Sequence, residues 1–306
     1  MRSGIVTLTT DFGLDDAFVG VMKGVILARN PECRIVDLTH GIPPGNRMEA
    51  VLALASAHPF FPRGTVHAAV VDPGVGSDRR ILAAEAAGHL FLAPDSGLIP
   101  AALDPFGDLP DPPRARYVSV EAQELFLPSV SSTFHGRDVY APAAAGLALG
   151  LSIDALGPEI FDPVPFALRL PVPGDGGLRG EVIHVDRFGN LVTNIRAKDL
   201  PFRPWVVRIG DAEIVGPSGY YWSVRPGELL GLLGSGGLLE ISVRDGSAAK
   251  RLGAGVGTPL AAASHAGGKE AGDGGRKAGK AKAAGGKSRK PARGRGERKK
   301  GRAGRG

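Results

Sequence analysis

Ile5 to Thr10 is a β-rich run of apolar and hydroxyl side chains, and Asp15 or Asp16 then opens an apolar helix that stops near Asn30-Pro31. Arg34 to Leu38 reads as a second strand and Asn46 to Ala57 as a second helix. Val66 to Val71 is apolar apart from His67, the pattern of a strand buried on both faces. Ile81 to Ala84 and Phe91 to Ala93 read as further strands, Gly97 to Leu103 as a short helix and Gly136 to Leu149 as a longer one. This alternation predicts an N-terminal α/β/α layered domain with a largely parallel sheet.

The pattern changes after the proline-rich stretch from Asp162 to Gly174. Short β-like segments follow, separated by Gly, Pro and Asp: Gly180 to Asp186, Leu191 to Asn194, Trp205 to Ile209, Leu229 to Leu233 and Leu238 to Val243. They predict a smaller all-β, barrel-like domain. The expected division is 1–165 for the catalytic α/β domain, 175–262 for the β domain and 263–306 for a tail.

Charge separates that tail from the rest. From His265 onward there are 15 Lys or Arg against 3 Asp or Glu, which leaves 22 basic and 28 acidic residues before it. The net charge of +6 therefore averages an acidic body and a basic tail. A Lys/Arg/Gly/Ala segment without aromatic residues has little to bury and is expected to be disordered. Such arms contact nucleic acid through phosphates, non-specifically; a solvated extension without that role is the alternative. With one cysteine, Cys33, no internal disulfide is possible. Few residues precede the first strand and no apolar run spans a bilayer, so a soluble cytoplasmic protein is expected.

Four polar segments follow the apolar ones. Thr9-Thr10-Asp11-Phe12-Gly13 places a carboxylate after the first strand, where it either holds a ribose through both hydroxyls or caps the next helix. Asp72-Pro73-Gly74-Val75-Gly76-Ser77-Asp78-Arg79-Arg80 is a tight glycine turn flanked by Asp72 and Arg79, lacking the spacing of a P-loop or dinucleotide site. Thr133-Phe134-His135-Gly136-Arg137-Asp138 opens a helix with an imidazole that is either structural or reactive. The histidines show no metal-ligand spacing, and no G-x-S-x-G elbow is present. Asp186-Arg187-Phe188-Gly189-Asn190 is either a β-turn or a site where Asn190 reads an adenine edge and Phe188 stacks on the ring.

In order and spacing, T-T-D-F-G, V-D-P-G-V-G-S-x-R-R, F-H-G-R-D, D-R-F-G-N-L-V-T-N-I and G-S-G-G-L-L-E-I resemble the S-adenosylmethionine hydroxide adenosyltransferase family, relatives of the fluorinating and chlorinating enzymes. The resemblance runs from about Ile5 to about Ser247. It implies hydrolysis of S-adenosylmethionine to adenosine and methionine, with no metal or organic cofactor. It also implies a homotrimer whose active sites lie between one subunit's N-terminal domain and its neighbour's C-terminal domain. Asp72, Arg79 and His135 match the catalytic set, Asp11 the ribose-binding aspartate and Asn190 the adenine-reading asparagine. Asp186 and Ser235 fall where the methionine portion is held. Halide transfer is disfavoured by Asp72 where the halogenating relatives carry an uncharged residue, by His135-Gly136 and by the short connection after Arg80. A silent sensor of S-adenosylmethionine or adenosine is the alternative of another class. Two departures stand out: Ser96 and Gly234 occupy positions where the family tends to carry asparagine.

Overall fold

Strand β1 (Ile5–Thr10) forms where its pattern predicts, and helix α1 follows at Phe18–Arg29, later than expected. Ala17 rather than Asp15 or Asp16 occupies the N-cap, and no side chain caps the helix. The two aspartates are exposed before it. Burial of Val19, Met22 and Ile26 against the sheet, and not a carboxylate cap, fixes where α1 runs. The computed structural model describes residues 3–265 except 175, 201 and 202.

The α/β part continues with β2 (Arg34–Thr39), α2 (Arg47–Ala57), β3 (Val66–Val70), β4 (Ile81–Ala86), β5 (His89–Pro94), α3 (Leu98–Leu103), β6 (Ala115–Ser119), α4 (Ala141–Leu149) and β7 (Glu159–Ile160). Asn46 caps α2, its side chain accepting from the Glu49 N–H at 3.2 Å. The seven strands form one sheet in the order β2-β1-β3-β5-β4-β6-β7. The first four are parallel, and β4, β6 and β7 extend the sheet antiparallel. The direction reverses at Ala87-Gly88, where φ is 52° and 84°, the two positive angles of a two-residue hairpin turn. Helices α1 and α4 pack on one face around Leu8, Met22, Val70 and Ala144. Helices α2 and α3 pack on the other around Leu54, Ala69, Phe91 and Leu98. Both faces being covered, β3 and β5 are buried along their whole length.

The remaining elements are β8 (Val172–Gly174), β9 (Gly177–Val185), β10 (Leu191–Arg196), β11 (Trp205–Ile209), β12 (Ala212–Gly216), β13 (Leu229–Leu233), β14 (Leu238–Val243), α5 (Ala248–Leu252) and β15 (Pro259–Ser264). They build an antiparallel sheet in the order β12-β11-β15-β9-β10-β14-β13, with β8 paired to β9. It curls into a nearly closed barrel. Ser218 N–H donates to Gly231 O at 2.7 Å across the gap, and the Trp205 ring fills the space beside Gly216 and Gly231. Val182, Leu191, Ile195, Val207 and Ile241 complete the barrel core.

Barrel and α/β layer are joined by polar contacts. Arg196 reaches Asp108 at 2.7 Å and covers the Phe106 ring, and His184 lies 2.6 Å from Glu49. Among the described residues no helix is long and apolar enough to cross a membrane. The basic run from 266 onward, expected to be disordered, lies outside the described residues.

Candidate active site

Parallel neighbours β1 and β3 place Thr10 opposite Val70, so Asp11 and Asp72 leave the same edge of the sheet, the edge at which open α/β folds bind ligands. Asp72 begins a tight loop that comes back to it through Arg79. The guanidinium grips both carboxylate oxygens through Nε and Nη2, and Gly74 N–H adds a bond to Oδ1 at 3.2 Å. Gly76 makes the loop possible: its φ is 80°, and the place a Cβ would take is filled by the Ser132 carbonyl. The loop is thereby closed onto the segment that carries His135.

Arg79 Nη2 lies 3.3 Å from His135 Nδ1. A guanidinium only donates, so Nδ1 accepts and the neutral ring carries its proton on Nε2. Burial, and after it the charge of Arg79, hold the imidazole below its ordinary value against the opposing pull of Asp72 and Asp138. His135 is therefore neutral at physiological pH.

His135 is set by a π-turn, Gly136–Tyr140, that runs into α4. Buried Asp138 anchors this turn, accepting from Ser131 N–H at 2.8 Å and from Arg137 Nε at 2.6 Å. Phe134 packs edge-on against Phe12 and Phe18, with centroids 6.0 and 5.1 Å away. Asp11 does not cap α1; its Oδ2 accepts from Gly45 N–H at 2.8 Å, and Gly45 in turn rests against Pro73. Asp11, Asp72, Arg79 and His135 thus converge on one edge of the α/β layer.

The barrel brings the other four site residues together. Asp186 Oδ1 accepts from the N–H groups of Phe188 and Asn190, each at 2.9 Å, and Oδ2 accepts from Asn190 Nδ2 at 2.8 Å. The turn reading of this segment therefore holds, and the turn presents Phe188 to solvent with 76% of its surface exposed. Asp186, Phe188, Asn190 and Ser235 line one groove of about 870 Å³. Tyr220, Tyr221, Trp222, Glu240 and Arg244 complete it, and the Arg244 guanidinium lies 3.7 Å over the Trp222 ring.

Within one chain the two groups stay apart. Arg79 and His135 border a pocket of about 280 Å³ to which the barrel contributes nothing. Among the described residues no cluster of His, Cys, Asp or Glu is placed to hold a metal ion.

Two side chains with no place in the sequence reading belong to this picture. Tyr140, five residues after His135, is fully buried with an unpartnered hydroxyl. Burial raises its phenol well above the ordinary value, and the Asp72 carboxylate adds to the shift while Arg79 opposes it. Glu240 lies inside the G-S-G-G-L-L-E-I segment, where a carboxylate within an apolar strand was the available signal.

A bonded Asp–Arg–His cluster at the strand ends of an α/β layer, followed by a barrel with an aromatic groove, defines a two-domain enzyme class. Two sequence profiles match, the SAM hydroxide adenosyltransferase N-terminal domain over residues 6–157 and the C-terminal domain over 180–261. The chain belongs to the SAM hydroxide adenosyltransferase family. It is 43% identical to the (R)-S-adenosyl-L-methionine hydrolase of Thermus thermophilus, over 83% of this chain and 98% of that protein. It is 38% identical to the hydrolase of the same name from Salinispora tropica, over 81% and 93%. A fluorinase from Nocardia brasiliensis is more distant, at 27% over 65% and 73%. The crystal structure of a conserved protein from Thermotoga maritima superposes with a TM-score of 0.76 at 35% identity, covering 85% of this chain and 99% of that one.

Proposed function

We propose that the chain hydrolyses S-adenosyl-L-methionine to adenosine and L-methionine, and the observation that carries this is the bonded Asp72–Arg79–His135 cluster. The sulfonium makes C5′ electrophilic, and its leaving group is a neutral thioether that needs no acid. Water attacks C5′ in line, the C5′–O bond forms as C5′–S breaks, and the electron pair stays on sulfur. The enzyme has to hold the water and remove its proton. His135 Nε2–H would orient the water, Arg79 would stabilise its developing negative charge, and Asp72 would accept the proton. Holding water and C5′ in line contributes roughly 7–11 kcal/mol in favourable cases.

Asp11 would take the ribose hydroxyls, Asn190 and Phe188 the adenine, and Asp186 and Ser235 would border the methionine portion. The α/β part to residue 165 and the barrel from 175 to 262 would meet across subunits of a homotrimer. The exposed aromatic rim of the groove, with Trp222 71% exposed, supports that arrangement. A halide brings no proton for Asp72 to accept, so the carboxylate fits water as the nucleophile.

The test is turnover of S-adenosylmethionine in oxygen-18 water with His135→Ala as control. Equimolar methionine and adenosine labelled at the 5′-hydroxyl are expected, with loss in the control. Formation of 5′-halo-adenosine on adding chloride would move the chain to the halogenating branch, and tight binding without turnover would make it a sensor.

A further inference from the structure

The loop between β3 and Arg80 is tied largely to itself. Val75 N–H donates to Asp72 O at 3.3 Å and Ser77 N–H to Gly74 O at 3.1 Å, while Val75, Gly76, Ser77 and Asp78 are exposed. It ends in two arginines with different partners. Arg79 takes Asp72 and His135, whereas Arg80 takes two carboxylates outside the loop. Arg80 Nε donates to Asp95 Oδ2 at 2.8 Å, Nη1 to Asp162 Oδ1 at 2.8 Å and Nη2 to Asp162 O at 2.9 Å. Asp95 is buried, and its Oδ1 accepts from Val164 N–H at 2.8 Å. The segment from Asp162 to Phe166 is thereby strapped across the turn after β5. Phe166 fills the place of a Cβ at Gly97, whose φ is 86°, and Arg47 covers the Phe166 ring while donating to Ser96 O at 2.9 Å. One main-chain bond, Asp95 N–H to Arg80 O at 2.9 Å, leads into β4; the guanidinium adds the strap as a second anchor. Where a chain enters a strand, successive side chains point to opposite faces, so turning Arg80 to the strap turns Arg79 to Asp72.

We propose that Arg80 is a positioning residue of the candidate site: its fork, set between Asp95 and Asp162, fixes the loop end so that Arg79 stays against Asp72 and His135. A guanidinium suits this because its donors lie in one rigid plane, which an ammonium cannot copy. Misplacing a reacting group by about 1 Å is enough to cost about a hundred-fold in rate. The consequence for turnover rests on the hydrolase reading above; the consequence for His135 does not.

The test compares wild type with Arg80→Gln, Arg80→Lys and a control, Arg116→Gln, which removes the Arg116–Asp154 ion pair from β6 of the same sheet. The first readout needs no substrate. Burial and then Arg79 hold the His135 ring below its ordinary value. NMR titration of that ring, assigned with His135→Ala, should therefore show a higher midpoint in Arg80→Gln than in wild type. With S-adenosylmethionine, Arg80→Gln should lower kcat by about ten- to a hundred-fold and leave KM within about three-fold. Arg80→Lys keeps the charge without the fork and should recover only part of the loss. Asp162→Ala removes one prong at a side chain 79% exposed, which guards against a folding defect in Arg80→Gln. It should move the midpoint the same way by less. Arg116→Gln should match wild type in both readouts. An unmoved His135 midpoint, full recovery by Arg80→Lys, or an equal loss in Arg116→Gln overturns the proposal. Failure of wild type to release adenosine would overturn the hydrolase reading instead, and the His135 titration would still decide the role of Arg80.

Discussion

The strand-end cluster and the barrel groove treat their carboxylates in opposite ways. Asp72 is paired on the spot with Arg79, whereas Glu240 and Asp186 are held by neutral donors. The first arrangement suits chemistry: a compact charge pair beside a neutral imidazole can handle a proton without attracting a stray cation. The second shapes a broad groove of about 870 Å³, rimmed by aromatic side chains. On the proposed reading the α/β layer carries the reacting groups and the ribose contact, and the barrel the contacts to adenine and methionine.

Substitutions separate the two most sharply at Asp72. Asp72→Asn should lower kcat by about a thousand-fold or more while leaving KM within a few-fold, read from adenosine release. An equal rise in KM would mean that the cluster binds as well as reacts, and the contrast between the domains would fail.

Acid should distinguish the halves next. His58, His67 and His89 cluster in the α/β layer with Phe61 and Phe91, and each histidine has a buried ring nitrogen without a partner. Burial, and then the neighbouring histidines, depress His67 from 6.5 to about 3. Above pH 6.5 folded and unfolded forms bind the same protons there. Below it only the unfolded form gains one, so stability should fall by about 1.4 kcal/mol per pH unit until about pH 3. Urea unfolding at pH 7 and pH 4.5 measures the loss, and His67→Gln should flatten it. Among the described residues of the barrel no histidine is buried, so a barrel-specific signal should respond less.

Phe188→Ala probes the groove and should raise KM about ten-fold with kcat within three-fold, the reverse of Asp72→Asn. The smallest effect is expected at Tyr140. Its hydroxyl is buried without a partner, so Tyr140→Phe should raise stability by about 1 kcal/mol, seen as a higher Tm. A fall in activity beyond a few-fold would bring Tyr140 into the reacting cluster.

Much of this was legible in the chain because the signals were local. A short, β-branched, almost wholly apolar run fits a strand covered on both sides, and Val66 to Val71 forms one; an asparagine before Arg47 fits a helix cap, and Asn46 is one. The start of α1 was not, because packing overrode the nearer aspartates. The antiparallel extension was hidden in Ala87-Gly88, where an alanine at positive φ is held by pairing of the flanking strands and not by its own preference. At the site, Asp72, Arg79 and His135 were readable as types and spacing, but the bond from Arg79 to His135 spans 56 residues. Glu240 escaped for a related reason. Its carboxylate is held by bonds from Tyr221 and Ser242, and the first comes from 19 residues away.

The two tryptophans give the molecule a pair of built-in optical probes. Trp205 is fully enclosed where the barrel nearly closes, and Trp222 stands on the groove rim under a guanidinium. Emission from the first should lie to the blue and change only when the barrel opens. Emission from the second should lie to the red, quenched by its cation, and shift when an adenine or a neighbouring subunit covers it. Trp222→Phe would leave a single reporter of barrel integrity, and the difference spectrum would show the groove filling without any label.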